Sequence, residues 1–335
     1  MQTSEFNRRM KFAHLNHDEG GVLHTVYNNE LPHPYFDPQN ITLSQLFFYQ
    51  YDRWNNRKNT VMVWQDIEYM DPDDCVVNIQ PQDRLIHGSI YHNKQWTCES
   101  AFCSWHFHKV TTVNRDLSIL QPSQRPYFAD VLLGTSGDGK PMRKIFFNLL
   151  KQNDLLKKNI VNYFNNYKSP FLQTGTDDID VWFKDKDNPY TVNKIDGHFA
   201  SQYISKHIYE NTWISVVAES QHSNEFFFPT EKTGKALFAK RPFIVLSGQH
   251  YLRTLRSLGF RTFDSVIDES YDEIEDCTER TKAAFASFQK LQLLDQNSVR
   301  LKLQDVLEHN KKIICDRTVL NKHAQEMLNQ LSTKV

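Results

Sequence analysis

A glycine-rich segment near the middle of the chain has the spacing of a phosphate-binding loop. It reads GTSGDGK over residues 134–140 and lies between a predicted strand and a predicted helix. Backbone N–H groups at the start of a helix, together with a lysine, form an anion site. Pro141 stands where the Ser or Thr that holds Mg²⁺ would follow, which argues against hydrolysis of ATP or GTP. A diphosphate site without a tightly held metal fits better, with Arg143 adding a guanidinium; a solvated surface turn is the alternative.

A second group of polar residues follows the next apolar strand. That predicted strand ends at Glu219, so its carboxylate falls at the carboxyl edge of the sheet, where open α/β folds bind ligands. Thr230 is a predicted N-cap, which places Glu231 and Lys232 in the first turn of a helix. A glutamate there can accept two ribose hydroxyls, and a lysine there can face a phosphate. The alternative is a capped helix with a solvated lysine and a glutamate that only complements the helix dipole.

The elements that must position these residues alternate between strand and helix. The predicted strands cover residues 10–15, 60–64, 75–79, 84–90, 110–113, 127–133, 213–218, 242–246 and 261–263. The predicted helices cover residues 41–51, 141–151, 230–239 and 251–258, with further helices from about residue 271 to the end. Such alternation predicts βαβ units around a parallel sheet.

Three short blocks in the second half of the chain carry a resemblance to a known family. They are ESQH at 219–222, TEK at 230–232 and ALFAKRPFIV at 236–245. Together they resemble the donor-site signature of α-1,3-fucosyltransferase-like glycosyltransferases. The continuation over 251–271 looks like glycosyltransferases that are common in phage and marine bacterial genomes. The resemblance covers residues 127–280; Ser220 stands where the signature has asparagine, and the loop before Thr230 is longer.

The resemblance implies an α/β fold of the GT-B type, in which two Rossmann-like domains face a cleft. It also implies a nucleotide diphosphate sugar, with UDP or GDP, as donor substrate. Carried over to this chain, it assigns the ribose to Glu231, the diphosphate to Lys232, and the sugar side to Glu219 and Ser220, next to Thr230. In this class, cationic side chains and helix ends stabilise the leaving diphosphate, so no metal is required. We add the loop around Gly137, with Lys140 and Arg143, as a flank of the diphosphate.

The domain prediction follows from these assignments. Residues 1–122 form an acceptor-side Rossmann-like domain and residues 123–310 a nucleotide-sugar-binding Rossmann-like domain. Residues 311–335 form a C-terminal helix that could return to the first domain. An inverting transferase needs a general base near the acceptor hydroxyl. Asp18 and Glu19, in the first loop of the N-terminal domain, are the geometric candidates, with a solvated turn as the alternative, and Glu219 is the third candidate catalytic residue.

Two groups of metal-ligand residue types are predicted not to hold a metal. The aspartate pairs at 178 and 180 and at 185 and 187 do not follow an apolar strand, so we interpret them as parts of a solvated loop. Cys98, Cys103, His106 and His108 have zinc-capable side chains. On a continuous strand the two histidines share one face but the two cysteines do not, so ordinary buried Cys and His are the better interpretation.

Composition excludes several broad classes of protein. The 335 residues are 39% hydrophobic, 24% charged and 13% aromatic, which is typical of a folded globular chain of about two domains. The net charge of -1 lacks the basic excess of a dedicated polyanion binder. Five cysteines form no disulfide framework, and the N-terminus has no apolar signal region. We therefore expect a cytoplasmic protein without a membrane span, located in the host cytoplasm if phage-encoded.

The sequence thus predicts a glycosyltransferase that moves a sugar from a UDP- or GDP-sugar to an acceptor hydroxyl. The acceptor is either a glycan or a hydroxymethylated pyrimidine in phage DNA, which would make the reaction a DNA modification. A local basic cluster supports the DNA acceptor, and it consists of Lys232, Lys235, Lys240, Arg241, Arg253, Arg256 and Arg261. The alternative function is a nucleotide-binding regulatory or interaction protein that uses the glycine-rich loop without catalysis.

Overall fold

The computed structural model of the chain describes residues 105–135, 140–164, 202–224 and 226–316, together with eight short strands elsewhere. The described residues divide into two compact units. The first contains the strands that precede residue 105 and the strand Phe226–Phe227. The second lies within residues 106–224 and 229–316. In these parts of the chain, no helix combines the length and the apolar character needed to cross a membrane.

The first unit contains a mixed five-stranded sheet with the order β2-β1-β3-β4-β6. Its strands are β1 (Phe12–His17), β2 (Leu23–Thr25), β3 (Thr60–Trp64), β4 (Arg84–His87) and β6 (Glu99–Ser100). β1 is antiparallel to β2 and β3, whereas β3, β4 and β6 are parallel to one another. A separate antiparallel pair joins β5 (Ile90–Tyr91) to β12 (Phe226–Phe227).

The second unit contains a four-stranded sheet whose strands are all parallel. They are β7 (Tyr127–Thr135), β8 (Ile160–Phe164), β11 (Thr212–Ala218) and β13 (Phe243–Leu246), in the spatial order β13-β11-β7-β8. The chain first moves from β7 to β8 on one side and then resumes at β11 on the other side of β7. This reversal makes the gap between β7 and β11 a topological switch point, the place where open α/β sheets bind ligands outside the carboxyl ends of their strands.

Helices of the second unit cover the sheet and extend past it. They are α1 (Trp105–Val113), α2 (Pro141–Gln152), α3 (Lys206–Asn211), α4 (Glu231–Phe238), α5 (Tyr251–Ser257), α6 (Cys277–Gln292), α7 (Gln296–Lys302) and α8 (Gln304–Cys315). Short 3₁₀ turns occupy Leu156–Lys158 and Ser270–Glu273, and a two-residue hairpin pairs β9 (Lys194–Ile195) with β10 (His198–Phe199). α2 joins β7 to β8 and α4 joins β11 to β13 in opposite directions, so right-handed crossovers place these two helices on opposite faces of the sheet.

Burial on both faces explains the sequences of the central strands. All residues of β11 except Trp213 are buried, and so are all four residues of β13. Strands covered on both sides are continuous apolar runs and do not alternate between apolar and polar residues. On the α2 side, Phe146 packs edge to face against Phe285 and Phe288 of α6 at 5.4 and 5.6 Å between ring centroids. Each such ring pair adds about 0.5–1.5 kcal/mol to the burial of its area.

The structure confirms an α/β fold with a parallel sheet and corrects two predicted strands. Residues 110–113, predicted as a strand, belong to the helix α1. Buried Phe107 and Val110, three positions apart, share one face of that helix and outweigh the strand propensity of its β-branched residues. Residues 261–263 form no strand, because the Arg261 and Phe263 N–H groups donate to the side chains of Asn310 and Glu269 instead.

The helical α1 also changes the histidine geometry expected at positions 106 and 108. Positions two apart on a helix are separated by about 200° around its axis, so positions 106 and 108 do not occupy one face as they would on a strand. Among the described residues, no group of three or more His, Cys, Asp and Glu side chains could hold a metal ion. The aspartates at 178, 180, 185 and 187, and Cys98 and Cys103, lie outside the described residues.

Candidate functional site

The candidate site lies at the switch point of the parallel sheet. Lys140 follows β7 and directly precedes α2, while Glu219 and Ser220 follow β11 directly. Gly137, in the loop between β7 and Lys140, lies outside the described residues, as do Asp18 and Glu19. The two predicted groups of donor-binding residues therefore occupy the carboxyl ends of adjacent strands.

Glu219 is a buried hydrogen-bond hub at the centre of this site. It has no exposed surface, and its Oε1 accepts hydrogen bonds from the Thr230 N–H at 3.1 Å, the Thr233 hydroxyl at 2.5 Å and the Tyr251 hydroxyl at 3.0 Å. Its Oε2 accepts a bond from the Thr230 hydroxyl at 2.6 Å. A buried carboxylate is stable only when its oxygens are satisfied in this way. Glu219 thus ties the end of β11 to the start of α4 and to α5.

The tyrosine in this hub remains a hydrogen-bond donor. Burial, followed by the nearby Glu219 carboxylate, raises the pKa of Tyr251 well above its ordinary value of 10.0. Its hydroxyl is 2.7 Å from that of Thr233 and 3.0 Å from Glu219 Oε1. The network of Glu219, Thr233 and Tyr251 is therefore a fixed support beneath the site.

The first turn of α4 carries the side chains that face the site from this support. The Thr230 hydroxyl caps the helix by accepting a bond from the Lys232 N–H at 3.4 Å. The Lys232 ammonium donates to Ser220 Oγ at 3.2 Å, to Thr230 Oγ1 at 3.2 Å and to Glu231 Oε1 at 3.1 Å. These contacts bring Ser220, Thr230, Glu231 and Lys232 together as the sequence predicts.

Glu231 is held in its ionised form by its neighbours. Burial alone would raise its pKa, but the charges of Lys232, His106 and Lys235 outweigh that effect and bring the pKa to about 2, from an ordinary 4.5. The His106 ring contributes from α1, where its Nδ1 lies 3.6 Å from Glu231 Oε2. The side chains of Glu231 and Lys232 are 13% and 25% exposed, so a ligand can reach both.

Arg143 supports the site from below. It is 3% exposed, and its Nη2 donates to the carbonyl oxygens of Ala218 at 3.0 Å and Glu219 at 2.9 Å. Gly134, at the end of β7, has φ +65°, and a Cβ there would lie 3.3 Å from Arg143 Nη1. The guanidinium therefore ties α2 to the carboxyl end of β11 and lies close to Gly134 of β7, and its predicted contact with a diphosphate stays a prediction.

The loops after β11 and β13 are packed backbone to backbone. A Cβ on Gly248 would lie only 1.9 Å from the Ser223 carbonyl oxygen, so this approach requires glycine. The Asn224 side chain accepts a bond from the Gln249 N–H at 2.9 Å and donates to the Glu275 carbonyl at 2.8 Å. These contacts fix one wall of the site.

Arg280 joins the same loops from α6. Its guanidinium donates to the carbonyl oxygens of Ser247, Ile274, Glu275 and His222. Burial, then the charges of Arg280 and Lys140, lower the pKa of His222 below its ordinary 6.5. His222 is therefore neutral at pH 7, and it lies in the electric field of two cations at the edge of the sheet.

Sequence reasoning missed the supporting residues His106, His222, Tyr251 and Arg280. His222 stands inside the ESQH block and could have been found there, since it follows the strand end by only four residues. The others reach residues of the site that are distant in sequence, as His106 reaches Glu231 and Arg280 reaches His222, and no local pattern marks them. Comparison of the chain with protein-family models, with curated proteins and with solved structures gives no match. The functional inference therefore comes from the residues and geometry of this site.

Proposed function

We propose that the chain is a glycosyltransferase that binds a nucleotide diphosphate sugar, with UDP or GDP, at the carboxyl ends of β7 and β11. One observation carries the proposal: the Thr230-capped end of α4 presents an ionised Glu231 and the Lys232 ammonium at a topological switch point. A helix N-terminus and a lysine favour an anion, and an ionised carboxylate beside them is an acceptor for hydroxyl groups. A ribose joined to a diphosphate offers both groups at adjacent positions.

The proposed donor contacts follow from this chemistry. Glu231 accepts hydrogen bonds from the two ribose hydroxyls, and Lys232 turns from its present oxygen partners toward the diphosphate. Lys140, with Gly137 and Arg143, flanks the diphosphate from the β7 side, and Ser220 lies toward the sugar. Glu219 holds Thr230 and α4 in place, so its role in this proposal is positioning, and the alternative of direct catalysis by its carboxylate stays a prediction.

The proposed reaction is a displacement at the anomeric carbon. An acceptor hydroxyl oxygen forms the new bond to that carbon while the bond to the diphosphate oxygen breaks, and the nucleoside diphosphate leaves with the electron pair. Lys232 and the α4 N-terminus stabilise the developing charge without a metal ion. In an inverting enzyme, a carboxylate receives the acceptor proton, and Asp18 and Glu19 are the proposed candidates.

The proposal includes the architecture, the location and the acceptor of the enzyme. The architecture is of the GT-B type, in which two Rossmann-like domains face a cleft, and the enzyme is cytoplasmic. The acceptor is a glycan or a hydroxymethylated pyrimidine of phage DNA. Activity on DNA would fall steeply as the salt concentration rises, because phosphate contacts release counterions. If the protein does not bind hydroxymethylated duplex DNA at low salt, DNA is excluded as the acceptor.

Thermal stabilisation by nucleotides tests the donor site. The protein is heated with UDP, GDP, ADP, CMP and their common sugar conjugates, first without metal and then with Mg²⁺. A ligand at 100 times its dissociation constant adds about 2.7 kcal/mol of stability when it binds only the folded state. We expect a metal-independent shift with one diphosphate, lost in Glu231→Ala. If no nucleotide raises the unfolding temperature, then Thr230, Glu231 and Lys232 only form the start of a capped helix, and the proposal fails.

A nucleotide-binding regulatory protein is the second candidate function, favoured by the anion-binding features alone. Measuring whether the protein converts a nucleotide sugar to product distinguishes this regulatory function from a transferase. Glycosyltransferases often hydrolyse their nucleotide sugar slowly when no acceptor is present, so release of nucleoside diphosphate that is lost in Lys232→Ala supports catalysis. Nucleotide binding without any release of product would support the regulatory function.

A further inference from the structure

A basic pocket lies at the opposite edge of the parallel sheet from the candidate donor site. It is shallow and opens to solvent at the amino ends of the strands, where β11 begins and Pro242 precedes β13. Its lining residues are Gln121, Arg125, Trp213, Ile214, Lys240, Pro242, Gln296, Val299 and Arg300. The predicted donor site uses none of them.

Positive charge exceeds what the nearby carboxylates balance. Arg241, buried behind the pocket, pairs with Asp130 at 2.8 Å, and Lys240 pairs with Glu308 at 2.6 Å. Within the part of the chain that the structure describes, neither Arg125 nor Arg300 forms an ion pair, and Arg300 donates to the Gln121 carbonyl at 3.1 Å. Burial, then the charges of Arg241 and Arg300, lower the pKa of Arg125 to about 9 from an ordinary 12.5. An anion in the pocket would relieve this repulsion.

Arg125 is held rigidly in the pocket wall. Its Nη1 donates to the carbonyl oxygens of Tyr209, at 3.2 Å, and Thr212, and its Nη2 donates to Gln121 Oε1 at 2.5 Å. The guanidinium carbon lies 4.9 Å from the centre of the Trp213 ring. A fixed guanidinium loses little conformational entropy when it binds an oxyanion, so this wall is organised in advance.

Two buried atoms of the lining have no hydrogen-bond partner among the described residues. They are Arg125 Nε, a donor, and Gln296 Oε1, an acceptor, although the Gln296 amide nitrogen donates to the carbonyl oxygens of Leu291 and Leu294 at 2.8 Å each. Most buried polar atoms in proteins have a hydrogen-bond partner, so these two atoms are available to a water molecule, an ion or a ligand. A protonated oxyanion can serve both atoms, since it accepts from one and donates to the other.

We propose that this pocket binds the phosphate group of a small ligand, held by Arg125 and Arg300, with Trp213 and Pro242 as the apolar wall for the group that the phosphate carries. The phosphate group could belong to a soluble ester or to a phospholipid headgroup. Exposed leucines adjoin Gln296 and Arg300 along the chain, which makes a lipid source testable: Leu293, Leu294 and Leu301.

Calorimetric titration of the full chain with inorganic phosphate at constant ionic strength tests the proposal. Arg300→Gln is the test variant, because Arg300 is half-buried and makes one exposed backbone contact, so its loss leaves the fold intact. Arg115→Gln removes the same charge from a side chain that is 77% exposed and outside the pocket. We expect phosphate affinity to fall about tenfold or more in Arg300→Gln and to remain unchanged in Arg115→Gln, since a charge-assisted hydrogen bond is lost only in the first.

Lys232→Ala separates this pocket from the proposed donor site, which could also attract phosphate. Binding that Lys232→Ala abolishes and Arg300→Gln preserves would belong to the donor site and overturn the proposal. Equal weakening by Arg300→Gln and Arg115→Gln would show general attraction by surface charge, which also overturns it. A change in Trp213 fluorescence on titration, absent in Trp213→Phe, supports binding in the pocket itself.

Vesicles distinguish the two sources of the phosphate group. Vesicles of phosphatidic acid mixed with phosphatidylcholine are compared with phosphatidylcholine alone, in wild type and in Arg300→Gln. Vesicle binding that depends on phosphatidic acid and on Arg300 supports a lipid headgroup as the source. Binding of free phosphate without vesicle binding supports a soluble ester, and binding in neither arm overturns the proposal.

Discussion

Glu219 and Thr230 are joined twice, because the same carboxylate accepts both the backbone N–H of Thr230, at 3.1 Å, and its hydroxyl, at 2.6 Å. One residue ends β11 and the other caps α4, so the pair fixes the helix N-terminus against the carboxyl edge of the sheet. The helix end at which we place a ribose and a diphosphate therefore has its position set by a buried carboxylate that need not touch the ligand.

Removal of that carboxylate should destabilise the second unit strongly. Glu219→Ala leaves the Thr230, Thr233 and Tyr251 donors without their acceptor, and a broken buried charged network costs about 3–5 kcal/mol. Urea unfolding followed by circular dichroism measures the loss. Thr233→Val removes one hydroxyl and should cost about 1 kcal/mol. A Glu219→Ala protein as stable as wild type would contradict a supporting role.

Acid should weaken the protein through Glu231 in a defined pH window. Since the folded-state pKa of about 2 lies below the ordinary 4.5, the stabilisation is complete above pH 4.5 and is lost as the pH falls toward 2. Glu231→Gln should therefore lose less stability over this window than wild type does, by an amount on the order of 2–3 kcal/mol.

Urea midpoints measured at several pH values check this window. Glu279→Gln is the matched control, because Glu279 is 60% exposed and pairs with Lys282 on the surface of α6. An exposed pair of this kind contributes about 0–1 kcal/mol, so its loss should leave the acid limb unchanged. Parallel acid limbs for wild type and Glu231→Gln would show that Lys232 and His106 do not hold the carboxylate ionised.

Local signals predicted the elements around the site, and their boundaries agree closely. The apolar runs of β7 and β11, Pro141 at the start of α2 and the Thr230 cap all act over a few residues, so the sequence alone identifies them. The same locality explains why Ser220, Glu231 and Lys232 were predicted to lie together: a strand end and a helix start converge at one sheet edge.

Distant contacts decided what the sequence could not predict. Residues 110–113 look like a strand, but Phe107 packs against Phe260, 5.7 Å between ring centroids, and against Gly234, which favours a helix there. Likewise, nothing near Glu219 in the sequence predicts that the Tyr251 hydroxyl donates a hydrogen bond to its carboxylate. Tertiary packing overrides propensity in the first case, and in the second it converts a candidate catalytic carboxylate into a satisfied one.

Lys232→Ala should weaken nucleotide diphosphate binding about tenfold to a hundredfold, because a charge-assisted hydrogen bond to the phosphate is lost. Stability should fall as well, because Glu231 loses the strongest of the charges that lower its pKa, so the affinity is measured at a temperature at which the variant is folded. Calorimetry with the diphosphate that gives the largest thermal shift measures the affinity. Lys290→Ala, at a side chain that is 69% exposed, is the control and should bind as wild type does. Equal affinity in both variants would exclude Lys232 as a phosphate ligand.

The buried pair of Asp130 and Arg241 should behave differently from the surface pair of Lys240 and Glu308. Arg241→Met leaves the Asp130 carboxylate buried without its cation and should cost about 3–5 kcal/mol. The double variant Asp130→Leu with Arg241→Met should recover much of that loss, because no charge remains buried. Glu308→Gln, at a side chain that is 54% exposed, should cost less than about 1 kcal/mol. Urea unfolding of these variants, of the single variant Asp130→Leu and of wild type measures these differences, and a double variant whose cost equals the sum of the two single costs would contradict the coupling.

Binding of a nucleotide sugar should become tighter as the pH falls through the range in which His222 titrates. Burial and the charges of Arg280 and Lys140 keep the pKa of the free side chain below 6.5, so the ring is neutral at pH 7. A bound diphosphate brings negative charge to this edge and raises the pKa of His222, so binding is coupled to proton uptake. The diphosphate diester of a nucleotide sugar does not titrate in this range, so calorimetry between pH 5 and 8 reports the protein. His222→Asn should flatten the dependence, and His207→Asn, at an exposed position on α3, should leave it intact. A slope that survives in His222→Asn would place the titrating group elsewhere.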